Sequence, residues 1–261
     1  MSWRLSVSTL GMPGRPVVEA VRVGLDHGCD GVELRVHPDE EITLGMEPAE
    51  AAAAAKHVTD AGLEISCLAG YARLCGGSQE DDDAVIGELR ALIRLAGHMG
   101  APSVRVLPGG TTAGRAAGRR RIEAVLDELT AAGVQLLVET HDSHPTAQDV
   151  LELIRPFSGS AAVGVLWDIL HPIVNGEDPA TTARLLGDAV HYVQVKDASL
   201  DRQWAPALPG QGDLPLDEVA RLLQGGSGWI SLEWERAWYP EIPDVAVPLE
   251  TIAAWFETSF R

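Results

Sequence analysis

The chain has 261 residues, of which 46% are hydrophobic and 22% are charged, proportions that are typical of a globular protein with a sizeable core. Aspartate and glutamate together number 38 against 20 lysines and arginines, which gives a formal net charge of −18. A field of this sign repels DNA, RNA and anionic membranes, so the composition argues against a nucleic-acid partner.

No targeting or membrane segment is evident in the sequence. The N-terminus "MSWRLSVSTLGMPG" has no apolar run of signal-peptide length, and no segment approaches the roughly 18 apolar residues that a spanning helix needs. Cys29, Cys67 and Cys75 are odd in number and form no CxxC pair, which is typical of reduced thiols. We therefore predict a cytoplasmic protein with no membrane partner, and the sequence leaves open whether it forms a homo-oligomer.

Short β-rich runs alternate with longer helical stretches along the whole chain. The eight predicted strands are "RLSVST" (4–9), "GVELRV" (31–36), "EISCLA" (64–69), "SVRVLP" (103–108), "VQLLVE" (134–139), "AVGVLW" (162–167), "HYVQVK" (191–196) and "WISLEW" (229–234). The predicted helices are 16–27, 48–61, 82–99, 115–132, 147–154, 181–186, 216–223 and 245–256. Eight such repeats predict an α/β fold, a (β/α)8 TIM barrel that forms a single domain over residues 1–261. A doubly wound open sheet is the alternative, but no glycine fingerprint follows the first strand.

The active site of a (β/α)8 barrel lies at the C-terminal ends of its strands, and polar residues collect there in this sequence. Side chains alternate along a strand, so Val193 and Val195 share the face toward the helices, and Gln194 points into the barrel. By the same argument the aliphatic Val138 and Leu232 place their neighbours inward. The inward polar residues at the strand ends are Glu139 in the fifth strand, Asp168 in the sixth, Gln194 and Lys196 in the seventh and Glu233 in the eighth.

Four oxygen donors, Glu139, Asp168, Gln194 and Glu233, thus converge from four consecutive strands. Three carboxylates in one cavity repel one another and shift their pKa values upward unless a cation neutralises them. One amide and three carboxylates form a hard donor set, which favours Mn²⁺ or Mg²⁺, with Co²⁺ as a further option. We therefore predict a metal site in which Gln194 contributes its carbonyl oxygen. The alternative is that each residue is a separate strand-end polar group in contact with a loop amide.

Further polar and aromatic residues near the predicted mouth are candidates for contact with a substrate. Lys196 would polarise a substrate oxygen or hold an acid in place, and the alternative is a salt bridge at the barrel rim. Glu33 and Arg35 in the second strand, together with Arg105 and His141, would contact substrate or orient the metal ligands. The alternative, which we favour, is a buried ion pair between Arg105 and Glu33. Trp238 lies in the loop after the eighth strand, where its ring would cover a sugar face or pack over the barrel end.

The chain resembles, over essentially its whole length, the xylose-isomerase-like TIM barrels of the sugar phosphate isomerase/epimerase group, and the specific part of the resemblance is the C-terminal half. The resemblance rests on "LLVETH", "VLWDILHP", "VHYVQVKDA", "LPGQGDLPL" and "ISLEWE". It implies that Glu139, Asp168, Gln194 and Glu233 bind a divalent metal, and that Glu139 and Glu233 act as acid and base. His171 matches a histidine that contacts substrate hydroxyls. Gln194 departs from the pattern, since the family most often has histidine there.

The resemblance implies an isomerase or epimerase of a sugar or keto-sugar, phosphorylated or not, that transfers a proton through a metal-bound enediolate. Three alternatives remain open. A lyase or dehydratase would act on a keto-sugar or keto-inositol by eliminating a β-substituent from the same type of intermediate. A non-catalytic sugar-binding barrel would use a metal only structurally. A metal-dependent endonuclease is disfavoured by the net charge and by the shortage of histidine ligands.

Overall fold

The alternation of strands and helices builds a closed parallel barrel, seen in a computed structural model that describes residues 2–261. The barrel strands are β1 (Trp3–Ser8), β2 (Gly31–Arg35), β3 (Glu64–Arg73), β4 (Ser103–Leu107), β5 (Gln135–Glu139), β6 (Val163–Asp168), β7 (Val190–Val195) and β10 (Gly228–Leu232). Their order around the barrel is β1-β10-β7-β6-β5-β4-β3-β2. The predicted (β/α)8 barrel is confirmed, and the open sheet is excluded.

Helices surround the barrel between successive strands. They are α1 (Val17–Asp26), α2 (Pro48–Asp60), α3 (Asp82–Met99), α4 (Arg115–Glu123), α5 (Leu126–Ala132), α6 (Ala147–Ile154), α7 (Leu170–Val174), α8 (Pro179–Leu186), α9 (Leu216–Leu222) and α10 (Ala246–Phe260). The helix predicted over 115–132 is divided into two, because Val125 leaves the helical conformation with a φ of −119° while its side chain is fully buried. Within the described part of the chain, no helix is long and apolar enough to cross a membrane.

Two apolar layers confirm which strand residues point inward. Val138, Val193, Val195 and Leu232 belong to the large cluster between barrel and helices. A second cluster fills the barrel itself and consists of Cys67, Leu137, Leu166, Tyr192 and Trp229. Because side chains alternate, the residues two positions after Leu137, Leu166 and Tyr192 must point into the barrel toward its C-terminal end, and so must the residue four positions after Trp229. These residues are Glu139, Asp168, Gln194 and Glu233.

A hairpin that the sequence did not predict follows β7. Strands β8 (Asp197–Ser199) and β9 (Ala205–Ala207) pair antiparallel above the barrel. The Asp197 carboxylate accepts hydrogen bonds from the backbone N–H groups of Ala198, Gly210, Gly212 and Leu214 at 2.8–3.1 Å. A side chain at Gly212 would place its Cβ only 2.2 Å from the Asp197 carboxylate, so the turn in "GQGD" requires glycine there. This fixes the loop beside the seventh strand end.

Replacing Asp197 by alanine should lower the free energy of unfolding by about 3 kcal/mol, because buried N–H groups lose their acceptor. Asp201→Ala is the control, since Asp201 is an exposed acid of the same hairpin, and its effect should stay within about 0.5 kcal/mol. Urea denaturation followed by circular dichroism measures both. Equal stabilities of the two variants would show that Asp197 does not fasten this loop.

Candidate active site

The four predicted ligands lie together at the C-terminal end of the barrel. Glu139 and Asp168 are the last residues of β5 and β6, Gln194 lies in β7, and Glu233 directly follows β10. Gln194 is in register with Asp168 on one side and with Ser231 of β10 on the other. All four side chains are buried, from Asp168 and Gln194 at 0% exposure to Glu233 at 6%.

Three of these four residues carry a buried oxygen atom that has no hydrogen-bond partner. They are Oε2 of Glu139, Oδ2 of Asp168 and Oε1 of Gln194. Arg105 Nε lies 3.2 Å from the first, and Lys196 Nζ lies 2.9 Å from the second. These two contacts are ion pairs by distance but lack the alignment of a hydrogen bond. Buried oxygens in this state are unusual in proteins and call for a cation or a polar ligand.

Lys196 extends into the carboxylate cluster. Its ammonium contacts Glu233, lies 2.9 Å from Asp168 and lies 2.8 Å from Glu235. Burial acts to lower the pKa of Lys196, but the three carboxylates outweigh it and raise the pKa well above its ordinary value. Burial acts to raise the pKa of Asp168, but Lys196 and His171 outweigh it, and the pKa is lowered. These contacts fit both the prediction that Lys196 holds acids in place and the alternative of a salt bridge at the barrel rim.

Glu139 is a buried carboxyl group whose pKa lies near neutral pH. Burial raises its pKa to about 7, against the opposing effects of Arg105 and His141, and Glu233 and Asp168 add to the rise. Arg105 pairs with Glu139 rather than with Glu33, so the slightly favoured ion pair between Arg105 and Glu33 is wrong. The reason is that the Glu33 carboxylate instead accepts hydrogen bonds from the amide of Gln194 across the barrel.

Two histidines lie beside Glu139. The rings of His141 and His171 are 4.1 Å apart between centroids, and His141 Nδ1 lies 2.9 Å from Asp142 Oδ1. Burial lowers the pKa of His171 to about 4, with Asp168 opposing the shift. Burial also acts to lower the pKa of His141, but Glu139, Asp142 and Asp168 outweigh it, and the net shift is upward. Glu139, His141 and His171 each offer a ligand atom, and these atoms lie within 4.8 Å of one another, so this group could also hold a metal ion.

The opposite side of the mouth carries aromatic rings and a buried arginine. Trp238 is 54% exposed, and its ring centroid lies 5.0 Å from the Arg35 guanidinium carbon. Arg35 donates to the Tyr71 hydroxyl at 2.7 Å and to Glu40 at 2.6 Å. Arg105 lies 5.0 Å from the Tyr71 ring. Sequence reasoning missed Tyr71 because it ended the third strand at Ala69, whereas β3 continues to Arg73.

The family described as "Xylose isomerase-like TIM barrel" matches residues 21–257. The chain belongs to this family. No curated protein matches its sequence.

Solved structures of similar fold cover almost the whole chain at low identity. A D-tagatose 3-epimerase-like protein superposes with a TM-score of 0.78 at 17% identity, covering 98% of this chain and 97% of its own. The 3-keto-D-glucoside 4-epimerase YcjR from E. coli gives 0.77 at 16% identity, with 98% and 99% covered. The probable 3-DHS dehydratase AsbF from Bacillus anthracis gives 0.76 at 17% identity, with the same coverage. Identities this low show a shared fold.

The residues at the barrel mouth of this xylose isomerase-like barrel fit the divalent metal that the resemblance implies. Glu139, Asp168 and Gln194 each present a buried oxygen without a hydrogen-bond donor. Carboxylate and amide oxygens are the ligands that Mn²⁺ and Mg²⁺ prefer, and the histidine pair beside Glu139 would admit Co²⁺ as well.

The protein should bind about one Mn²⁺ per chain, because a divalent cation would satisfy these oxygens and offset the buried negative charge. Asp168→Ala should lose the ion, since it removes one ligand from the centre of the cluster. Elemental analysis after reconstitution with excess Mn²⁺ and desalting measures the stoichiometry. Asp201→Ala is the matched control and should retain the metal. An unaltered protein that carries no Mn²⁺ would contradict the proposed site.

Proposed function

We propose that the protein is a divalent-metal-dependent isomerase or epimerase of a sugar or keto-sugar. The observation that carries this proposal is the group of buried oxygens of Glu139, Asp168 and Gln194 that accept no hydrogen bond at the C-terminal end of the barrel, with the second acid Glu233 beside them. The family membership and the sugar epimerases among the structures of similar fold support the same class of reaction.

The reaction moves a proton from a carbon next to a carbonyl group, which is slow because the enediolate that forms is high in energy. A divalent cation held by Glu139, Asp168, Gln194 and Glu233 would supply positive charge near the substrate oxygens that become negative. Mn²⁺ or Mg²⁺ suits the oxygen donors best, and Co²⁺ is the further option.

Glu139 and Glu233 are proposed to take and return the proton. The strands that carry them, β5 and β10, are separated around the barrel by β6 and β7, so the two carboxyl groups approach the cavity from different sides. A pKa of about 7 lets Glu139 accept a proton in one step and release it in the next. Lys196 holds Glu233 and Asp168 through its ion pairs, which limits the movement of both acids during the transfer.

The remaining predicted residues are proposed to bind the substrate. His141 and His171 lie on the β5 and β6 side of the cavity, where their ring nitrogens would contact sugar hydroxyls. Arg105 reaches the cavity beside Glu139. Trp238 is exposed on the far side of the mouth, where its ring would cover a sugar face and exclude water.

Dehydration of a keto-sugar or keto-inositol is the second candidate function. It is favoured by His141, which bonds to Asp142 beside Glu139 and keeps 30% of its side chain exposed at the mouth. One carboxyl group would remove a proton from carbon, and the histidine would give a proton to the departing hydroxyl group, so that water leaves. The mass of the product separates the two reactions, since only dehydration loses one water.

Glu139→Gln and Glu233→Gln should each lower turnover about 10²- to 10⁴-fold, because each removes a proton carrier but keeps an oxygen ligand. The measurement is deuterium incorporation from heavy water into a panel of ketoses and keto-inositols with added Mn²⁺, followed by NMR and mass spectrometry. Glu235→Gln is the matched control, since Glu235 contacts Lys196 without a proposed role in proton transfer. Near-unaltered turnover of either glutamate variant with metal retained would assign the proton transfer to other groups.

A further inference from the structure

The nitrogen of the Gln194 amide is hydrogen-bonded, and its oxygen is not. Its Nε2 donates to both oxygens of Glu33, at 3.0 and 3.2 Å. Its Oε1 is buried and has no hydrogen-bond partner. An ionised carboxylate can only accept hydrogen bonds, so the partner determines which end of the amide is nitrogen and which is oxygen.

Asp168 is a second carboxylate that could accept a hydrogen bond from the Gln194 amide. Asp168 is in register with Gln194 on the neighbouring strand, and its Oδ2 is also buried and accepts no hydrogen bond, although Lys196 Nζ lies 2.9 Å from it. With the amide reversed, the Gln194 oxygen would face the Glu33 carboxylate, which repels it. Glu33 therefore keeps the nitrogen on its own side and leaves the oxygen on the side of the predicted metal ligands.

Glu33 is itself held in a defined place. It is fully buried in the middle of β2, on the opposite side of the barrel from β6. The hydroxyl groups of Ser8 and Tyr192 hydrogen-bond to its carboxylate. The Tyr192 hydroxyl belongs to a chain of buried hydroxyl groups that continues through Ser66 to Ser6, at 2.8 and 2.7 Å.

We propose that Glu33 is a positioning residue that orients Gln194 so that its carbonyl oxygen faces the cation. The proposal rests on the metal site put forward above. It parallels the common arrangement in which a metal-binding histidine donates its second ring N–H to a carboxylate. Here glutamine stands where the family most often has histidine, and Glu33 fixes the amide as such a carboxylate fixes a ring.

Two substitutions of Glu33 separate positioning from charge. Glu33→Asp keeps the negative charge but shortens the side chain, so that its oxygens no longer reach the amide. Glu33→Gln keeps the length but can also donate, so that the amide of Gln194 is free to turn. Both variants should weaken Mn²⁺ binding by about 10- to 100-fold. Electron paramagnetic resonance of free Mn²⁺ during a titration measures the affinity, and thermal unfolding confirms that each variant is folded.

A double-mutant cycle tests whether the effect of Glu33 acts through Gln194. Gln194→Leu alone should weaken Mn²⁺ binding, and adding Glu33→Asp to it should weaken binding no further. Glu235→Gln is the control for removing a nearby charge and should change the affinity less than Glu33→Asp.

The outcomes distinguish the two proposals. If the unaltered protein binds Mn²⁺ and Glu33→Asp binds it within about twofold of that affinity, the positioning role of Glu33 is overturned and the metal site stands. Additive effects in the double-mutant cycle would overturn it as well. If the unaltered protein binds no Mn²⁺, the metal site is overturned, and the positioning role with it.

Discussion

The crowding of buried carboxyl groups at one end of the barrel is the constraint on which the rest of the site depends. Glu33, Glu139, Asp168 and Glu233 are all nearly or fully buried there, and Arg105 and Lys196 are the buried cations among them. Buried charge is costly unless it is paired or neutralised. The barrel meets this cost in part by raising the pKa of Glu139 to about 7, so that a proton can supply some of the missing positive charge.

The two cations divide the cluster between them. Arg105 pairs with Glu139, while Lys196 bridges Asp168, Glu233 and Glu235. Neither cation saturates the oxygens that it approaches, because Glu139 Oε2 and Asp168 Oδ2 remain without a hydrogen bond. The burial that leaves these oxygens available for a metal also raises the pKa of Glu139 to about 7. In the proposed function, metal binding and proton transfer therefore both depend on this cluster of buried charges.

The fold and the inward direction of the candidate site residues could be predicted from local sequence patterns. Alternation along the strands correctly placed Gln194 inside the barrel, because Val193 and Val195 were aliphatic and had to face the helices. Contacts across the barrel could not be predicted in this way, since strand periodicity gives a direction but no partner. The bond from Gln194 to Glu33 joins β7 and β2, which are distant in sequence. Arg105 and Glu139 lie on the neighbouring strands β4 and β5, but the pattern does not say which acid the arginine pairs with. The hairpin after β7 was missed because its strands have only three residues each.

The most direct test of this account is the position of a bound metal. Anomalous X-ray diffraction from crystals soaked in MnCl₂ would locate Mn²⁺ without reference to activity. The account predicts one strong peak bounded by oxygens of Glu139, Asp168, Gln194 and Glu233, with the amide nitrogen of Gln194 still directed at Glu33. A peak between Glu139, His141 and His171 that excludes Gln194, or no peak in the barrel, would contradict it.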